Sequence, residues 1–186
     1  MLRRVRPPRR PNNLQLALEW SDGFEAGRLR DPSLTDGTLE RGERFAVRIG
    51  PVRQVTFAAT PTCDVASTGA TGTLVATDRR ALLLDGTAII GQWVWRADVR
   101  RVSQLISGRG VLWSPSAERD PEGLLPLEGL VVPAYRSFRD RVPVAEARAG
   151  ELLFMKVQIA WRASQAGGLS AWREDFRARY AEVLRG

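Results

Sequence analysis

The sequence predicts a mostly-β domain that ends in one amphipathic helix, and three observations predict it. Short apolar runs alternate with polar or small residues at period two, as in Phe45, Val47 and Ile49 against Ala46 and Arg48. Turn formers punctuate these runs, with 17 Gly and 11 Pro in 186 residues. Finally, Trp172, Phe176, Tyr180 and Leu184 recur every four residues, which is the stripe of a helix packed on one side. A hydrophobic fraction of 44%, with six Trp and six Phe, supplies enough apolar material for a real core.

The elements follow in order. Residues 1–13 combine Arg, Pro and Asn, cannot bury a core, and are expected to form an extended arm. Residues 14–186 then form one domain. Leu14, Leu16, Leu18 and Trp20 fall at alternate positions and suggest a short strand, followed by loop over 28–41. Alternation from Phe45 is interrupted by Pro51 and resumes at Val55 and Phe57, before a Thr-, Pro-, Ser- and Gly-rich loop over 60–70. A strand over 72–78 leads through Arg79-Arg80 to the apolar run 81–84. Asp85-Gly86 is a hairpin turn signal, and 87–96 is the return strand with Gly91 at a bulge.

Val99, Val102, Leu105 and Ile106 extend the β pattern, and 111–113 adds a short strand. Prolines at 115, 121, 126, 133 and 143 mark 114–150 as a long insertion holding one or two short strands. In the segment 152–161, Leu153, Met155, Val157, Ile159 and Trp161 alternate with polar residues, which favours a strand, although its helix propensities are also good. Ala166-Gly167-Gly168 breaks the chain, and Ser170 is a good N-cap for a helix over about 170–185. Glu174 and Asp175 early in that helix and Arg185 at its end match the helix dipole.

Charge sits unevenly. The net charge is +7, and Arg3, Arg4, Arg6, Arg9 and Arg10 supply five of those charges, so the body of the chain is nearly balanced. Lys156 is the only lysine, which reads as codon bias of a GC-rich bacterial genome. A single cysteine, Cys63, allows no intrachain disulfide and fits a reducing cytoplasm. Histidine is absent, which removes the usual general base and the commonest metal ligand. The basic N-terminus begins like a signal-peptide n-region, but no apolar stretch follows it. No run approaches 18 consecutive apolar residues, so any membrane association is expected to be peripheral.

The run Gly72-Thr-Leu-Val-Ala-Thr-Asp-Arg-Arg-Ala-Leu-Leu-Leu84 resembles the strand–turn–strand of bacterial pleckstrin-homology-like and GRAM-type domains. There, a Gly-x-Leu stretch leads into Thr-Asp-x-Arg and an apolar strand. Trp93, Trp95, Val99 and Val102 look like the Trp-rich and Val-x-x-Val strands that come next, and Gly42-Glu43 looks like the domain opening. The resemblance covers about residues 40–106, with the terminal helix matching by position. It implies a partly open, pleckstrin-homology-like β-barrel plugged at one end by the C-terminal helix.

Candidate sites follow. The arm Arg3–Arg10 suits phosphate on nucleic acid or anionic lipid, at about 1 kcal/mol per cation near an acidic surface; a solvated tail is its plainer role. Arg79, Arg80, Arg100 and Arg101 are the basic pairs of the body, suited to an anionic ligand or to ordinary turn and edge positions. Trp93 marks a partner site if exposed and a core residue if not. No nucleophile–base pair, metal-ligand spacing or nucleotide loop is present, so no catalytic residue, metal or cofactor is expected. The function expected is therefore a non-catalytic binding module for a protein partner or a peripheral membrane surface. A nucleic-acid-associated protein using the arm, or a subunit of a larger assembly, is the alternative.

Overall fold

The computed structural model describes residues 15–19, 21, 38–58, 60–105, 109–137, 139 and 141–182, with backbone alone at 45–47. Seven antiparallel strands form one sheet: β1 (Phe45–Phe57), β2 (Val65–Thr77), β3 (Arg80–Asp85), β4 (Ala88–Val94), β5 (Val99–Gln104), β6 (Gly110–Pro115) and β7 (Glu128–Val131). Their order is β4-β3-β2-β1-β7-β6-β5. β1 organises it. Its register against β2 slips between Ile49 and Val52, where Pro51 breaks the ladder, and the strand bends there. Beyond the bend, Arg53 to Thr56 pair with β7 as well as β2, so one strand joins the two halves of the sheet.

The sheet is open, because β4 and β5 form its two edges. It is nonetheless strongly curved. The rings of Trp93 on β4 and Trp113 on β6 lie 4.9 Å apart, although four strands separate β4 from β6. Trp93 Nε1 also donates to Glu128 on β7 at 3.1 Å. Leu74, Ala81, Leu83, Trp93, Trp95, Val102, Val111 and Trp113 fill the concave side. The hairpin at Asp85-Gly86 forms as expected, with Gly86 at φ 59°, and β4 carries a register shift beside Gly91. Gly72 is required by space: a Cβ there would lie 2.3 Å from the carbonyl oxygen of Leu84.

Three helical pieces follow the sheet or link its strands. The single turn α1 (Trp95–Asp98) joins β4 to β5, closed by the Asp98 carboxylate accepting the Val94 N–H at 2.7 Å. α2 (Val144–Ala166) lies on the sheet through Leu153, Val157 and Ala160. Gly167, at φ 87°, ends α2, and α3 (Leu169–Arg179) runs back along it.

Several expectations are corrected. Residues 152–161 are helix, in the middle of α2. Both faces of α2 are apolar: Leu153, Val157 and Ala160 face the sheet, while Met155, Ile159 and Ala163 face α3. Two apolar faces on one helix produce the alternation that a strand also shows. The stripe of α3 exists, with the rings of Trp172, Phe176 and Tyr180 in tilted contact at 5.0 and 4.8 Å, but it packs on α2. The sheet is therefore covered by α2, and α3 forms a further layer. Ser170 lies inside α3, whose cap is Gly168; Leu184 and Arg185 lie outside the described residues.

β2 begins at Val65, within the expected loop, because its small polar residues use their backbone to pair with β1 while both side-chain faces stay largely in water. The segment 15–19 is helical where a strand was expected, and Ala17 packs with Ile159, Ala163 and Trp172. The expected insertion 114–150 contains β7 and the first turns of α2.

Candidate functional site

The basic pair at the β2–β3 turn divides. Arg79 is exposed and donates to the Gly42 carbonyl at 3.4 Å. Arg80 is only 6% exposed, and every nitrogen of its guanidinium is engaged. Nε donates to both Glu43 oxygens at 3.0 and 3.3 Å, Nη2 to Glu43 at 2.9 Å and the Thr38 carbonyl at 3.2 Å, and Nη1 to Gln92 at 2.9 Å. Glu40 adds an ion pair at 3.2 Å. The Thr77 hydroxyl donates to Glu43 at 2.5 Å and accepts the N–H groups of Arg79 and Arg80, both at 3.1 Å.

Burial alone would push the Glu43 carboxyl up. Hydrogen bonds from Arg80, Thr77 and the Glu40 N–H, with the Arg80 charge, outweigh it and hold the group below the ordinary carboxylate value. The Glu43 bonds raise Arg80 above its ordinary value against its own desolvation. This corner closes the domain. The Asp78 N–H donates to the Arg44 carbonyl at 3.2 Å, the Arg44 N–H to the Asp78 carboxylate at 2.8 Å, and Trp95 Nε1 to the Thr77 carbonyl at 2.8 Å. Arg80 is thus a structural cation with no donor to spare for a ligand, a correction to its expected surface role.

Of the two readings of Trp93 the core one holds and the partner site does not: it is buried in the main core, with its N–H bonded to Glu128. Arg100 and Arg101 are exposed on β5, a sheet edge. The structure does not gather Arg100 and Arg101 into the Arg80 network, whereas Arg79 touches it through its N–H on the Thr77 hydroxyl and its side chain on the Gly42 carbonyl. Arg3, Arg4, Arg6, Arg9 and Arg10 lie outside the described residues.

The cavity that stands out lies elsewhere, beside α2. It is a groove of about 980 Å³ between the outer face of α2, α3 and the helical segment at 15–19, with Gln104 of β5 at its margin. Leu152, Phe154, Met155, Trp172, Phe176 and Tyr180 make its apolar wall. Its charges are Arg148, Arg162 and Arg179 against Glu151 and Asp175, of which Arg179 and Asp175 pair at 3.0 Å. The side chains of Arg148, Arg162 and Glu151 make no hydrogen bond or ion pair among the described residues. The groove exists because the two helices differ in length. At 1.5 Å per residue α2 runs about 34 Å and α3 about 16 Å, so among the described residues the outer face of the first turns of α2 has no covering helix. Val144 there is 85% exposed.

Sequence reasoning missed this site. Its signal was present: Arg148, Leu152, Met155, Ile159 and Arg162 are spaced by three or four residues, one face of a helix. Reading 152–161 as a strand split that face in two.

Among the described residues no three His, Cys, Asp or Glu side chains come together as metal ligands, and no helix is long and apolar enough to cross a membrane. No protein-family model, curated protein or solved structure matches the chain.

Proposed function

We propose that this chain is a non-catalytic binding module of pleckstrin-homology- or GRAM-like type, and that the groove beside α2 docks a protein partner. The observation that carries the proposal is the second apolar face of α2. The sheet covers one face, while α3 covers only part of the other and leaves an apolar trough bordered by Arg148 and Arg162, whose side chains have no partner among the described residues. A trough of this shape suits an amphipathic helix laid along it, with apolar anchors in the groove and acidic residues at the Arg148 and Arg162 margins. The fold-type reading draws support from the two stretches of the resemblance: Gly42-Glu43 and Thr77-Asp78-Arg79-Arg80 meet in one hydrogen-bonded corner. It also draws support from a curved, open sheet with a helix laid against it.

The experiment titrates labelled chain with three probes: a synthetic amphipathic helix with Leu on one face and Glu on the other, phosphatidylserine-containing vesicles, and a single-stranded oligonucleotide. NMR shift changes on α2 and α3 with the peptide are expected, and Arg148→Glu with Leu152→Asp should abolish them. Binding confined to vesicles or oligonucleotide, and unaffected by that variant, would overturn the groove reading in favour of the Arg-rich arm.

A further inference from the structure

The β6–β7 loop presents leucines to solvent on an ordered scaffold. Leu124 is 76% and Leu125 45% exposed, and Leu127 is also exposed. The Asp120 carboxylate accepts the N–H groups of Leu124 and Leu125 at 2.7 and 3.1 Å. Ser116 accepts the N–H groups of Arg119 and Asp120 at 3.1 and 2.9 Å, and the Leu127 carbonyl accepts the Phe57 N–H at 2.9 Å. The loop is therefore pinned at its start, middle and end. Glu118 and Glu122 precede the leucines, and their carboxylates have no partner among the described residues, whereas the loop's one cation, Arg119, is paired to Asp98 at 3.1 Å.

This surface is the complement of the groove. One is a convex, apolar tip whose Glu118 and Glu122 carboxylates have no partner among the described residues; the other is a concave, apolar trough where Arg148 and Arg162, against the single carboxylate Glu151, have none there either. The two surfaces do not meet within one copy, since no residue of the loop lines the groove and the leucines stay exposed. Gln104 at the groove margin pairs with Val111 near the start of β6, and the loop leaves from Pro115 at its end. Roughly 14 Å of strand separates them, and the hydrogen bonds of the loop hold its leucines away from the groove.

We infer that the groove takes the leucine loop of a second copy of this chain, so that copies associate head to tail. The inference rests on the binding-module reading and names the partner. Each such contact is heterologous: it leaves one loop and one groove free, so that assembly grows with concentration until a ring closes or a filament forms. A loop in a groove is a small interface, and association in the range of about 10 µM to 1 mM is expected.

Sedimentation of the full chain over that range tests it. The weight-average sedimentation coefficient should rise with concentration and fall back in high salt. Leu124→Asp with Leu125→Asp removes the loop, and Arg148→Glu with Leu152→Asp removes the groove; each variant alone should be monomeric. All four residues are at the surface, and unchanged circular dichroism and Tm confirm that folding is intact. Mixed in equal amounts, the two variants should form dimers that grow no further, because one intact loop meets one intact groove. A wild-type chain that stays monomeric at 1 mM, or a mixture that fails to pair, overturns self-docking. If the acidic helical peptide still binds the groove in that case, the module reading stands; if neither peptide nor second copy binds, both fail.

Discussion

Arg80 and the pair Arg148 and Arg162 are the same residue type put to opposite uses. Arg80 sits in the corner between β1, β2 and β3 with every nitrogen bonded. Arg148 and Arg162 stand at the groove with no described partner. The first is held by desolvated hydrogen bonds that only this corner supplies. The second pair keeps its donors in water, where exchanging them for a ligand's acceptors costs little. The difference teaches that a buried, satisfied cation maintains the fold, while an exposed, unsatisfied one beside an apolar surface is free to recognise something. The leucines repeat the lesson one residue apart: Leu153 is in the core and Leu152 is in the groove.

The largest effect expected is on the corner. Arg80→Ala strands the buried Glu43 carboxylate and should destabilise the chain by about 3–5 kcal/mol, read from denaturant unfolding. Glu43→Leu with Arg80→Met should recover most of that loss, because a buried ion pair offers little over a well-packed apolar pair. A cost below 1 kcal/mol for Arg80→Ala would erase the contrast with the groove arginines. Next, Leu153→Ala should cost about 2–5 kcal/mol, whereas Leu152→Ala should stay within about 0.5 kcal/mol. Equal costs would mean that the two faces of α2 are not distinct.

Acid supplies a smaller effect on the same corner. The folded Glu43 pKa is depressed, so its stabilisation is complete above the unfolded carboxylate value of about 4.3 and is lost as pH falls below it towards the folded value. Glu43→Gln should flatten that part of the stability–pH curve, measured as Tm against pH from 7 to 3. The smallest stability change belongs to Arg148→Ala and Arg162→Ala, within about 0.5 kcal/mol each, although both should weaken binding of the acidic peptide. Substantial destabilisation by either would assign these side chains to the fold.

Much of the sheet was legible because its signals are local. Asp85-Gly86 specifies its turn from two residues, Gly91 stands at its register shift, and the alternation 111–113 lies in β6. The helix at 152–161 was not legible, because a helix buried on two sides loses the one-sided stripe that identifies it. The start of β2 at Val65 was not legible either: Ser67, Thr68 and Gly69 are held by β1's backbone and carry no apolar pattern of their own.

The sequence by itself determined that strands dominate, that an aromatic-striped helix ends the chain, and that no histidine or cysteine pair is available for chemistry. These follow from composition and from contacts a few residues apart. Only the tertiary structure decided that Arg80 and Trp93 are interior, that α2 lies between the sheet and α3, and that a groove remains on its outer face. Each depends on partners far along the chain, such as Glu43 for Arg80, Glu128 for Trp93 and Trp172 for Ile159, and a side chain's role follows from what surrounds it once those partners meet.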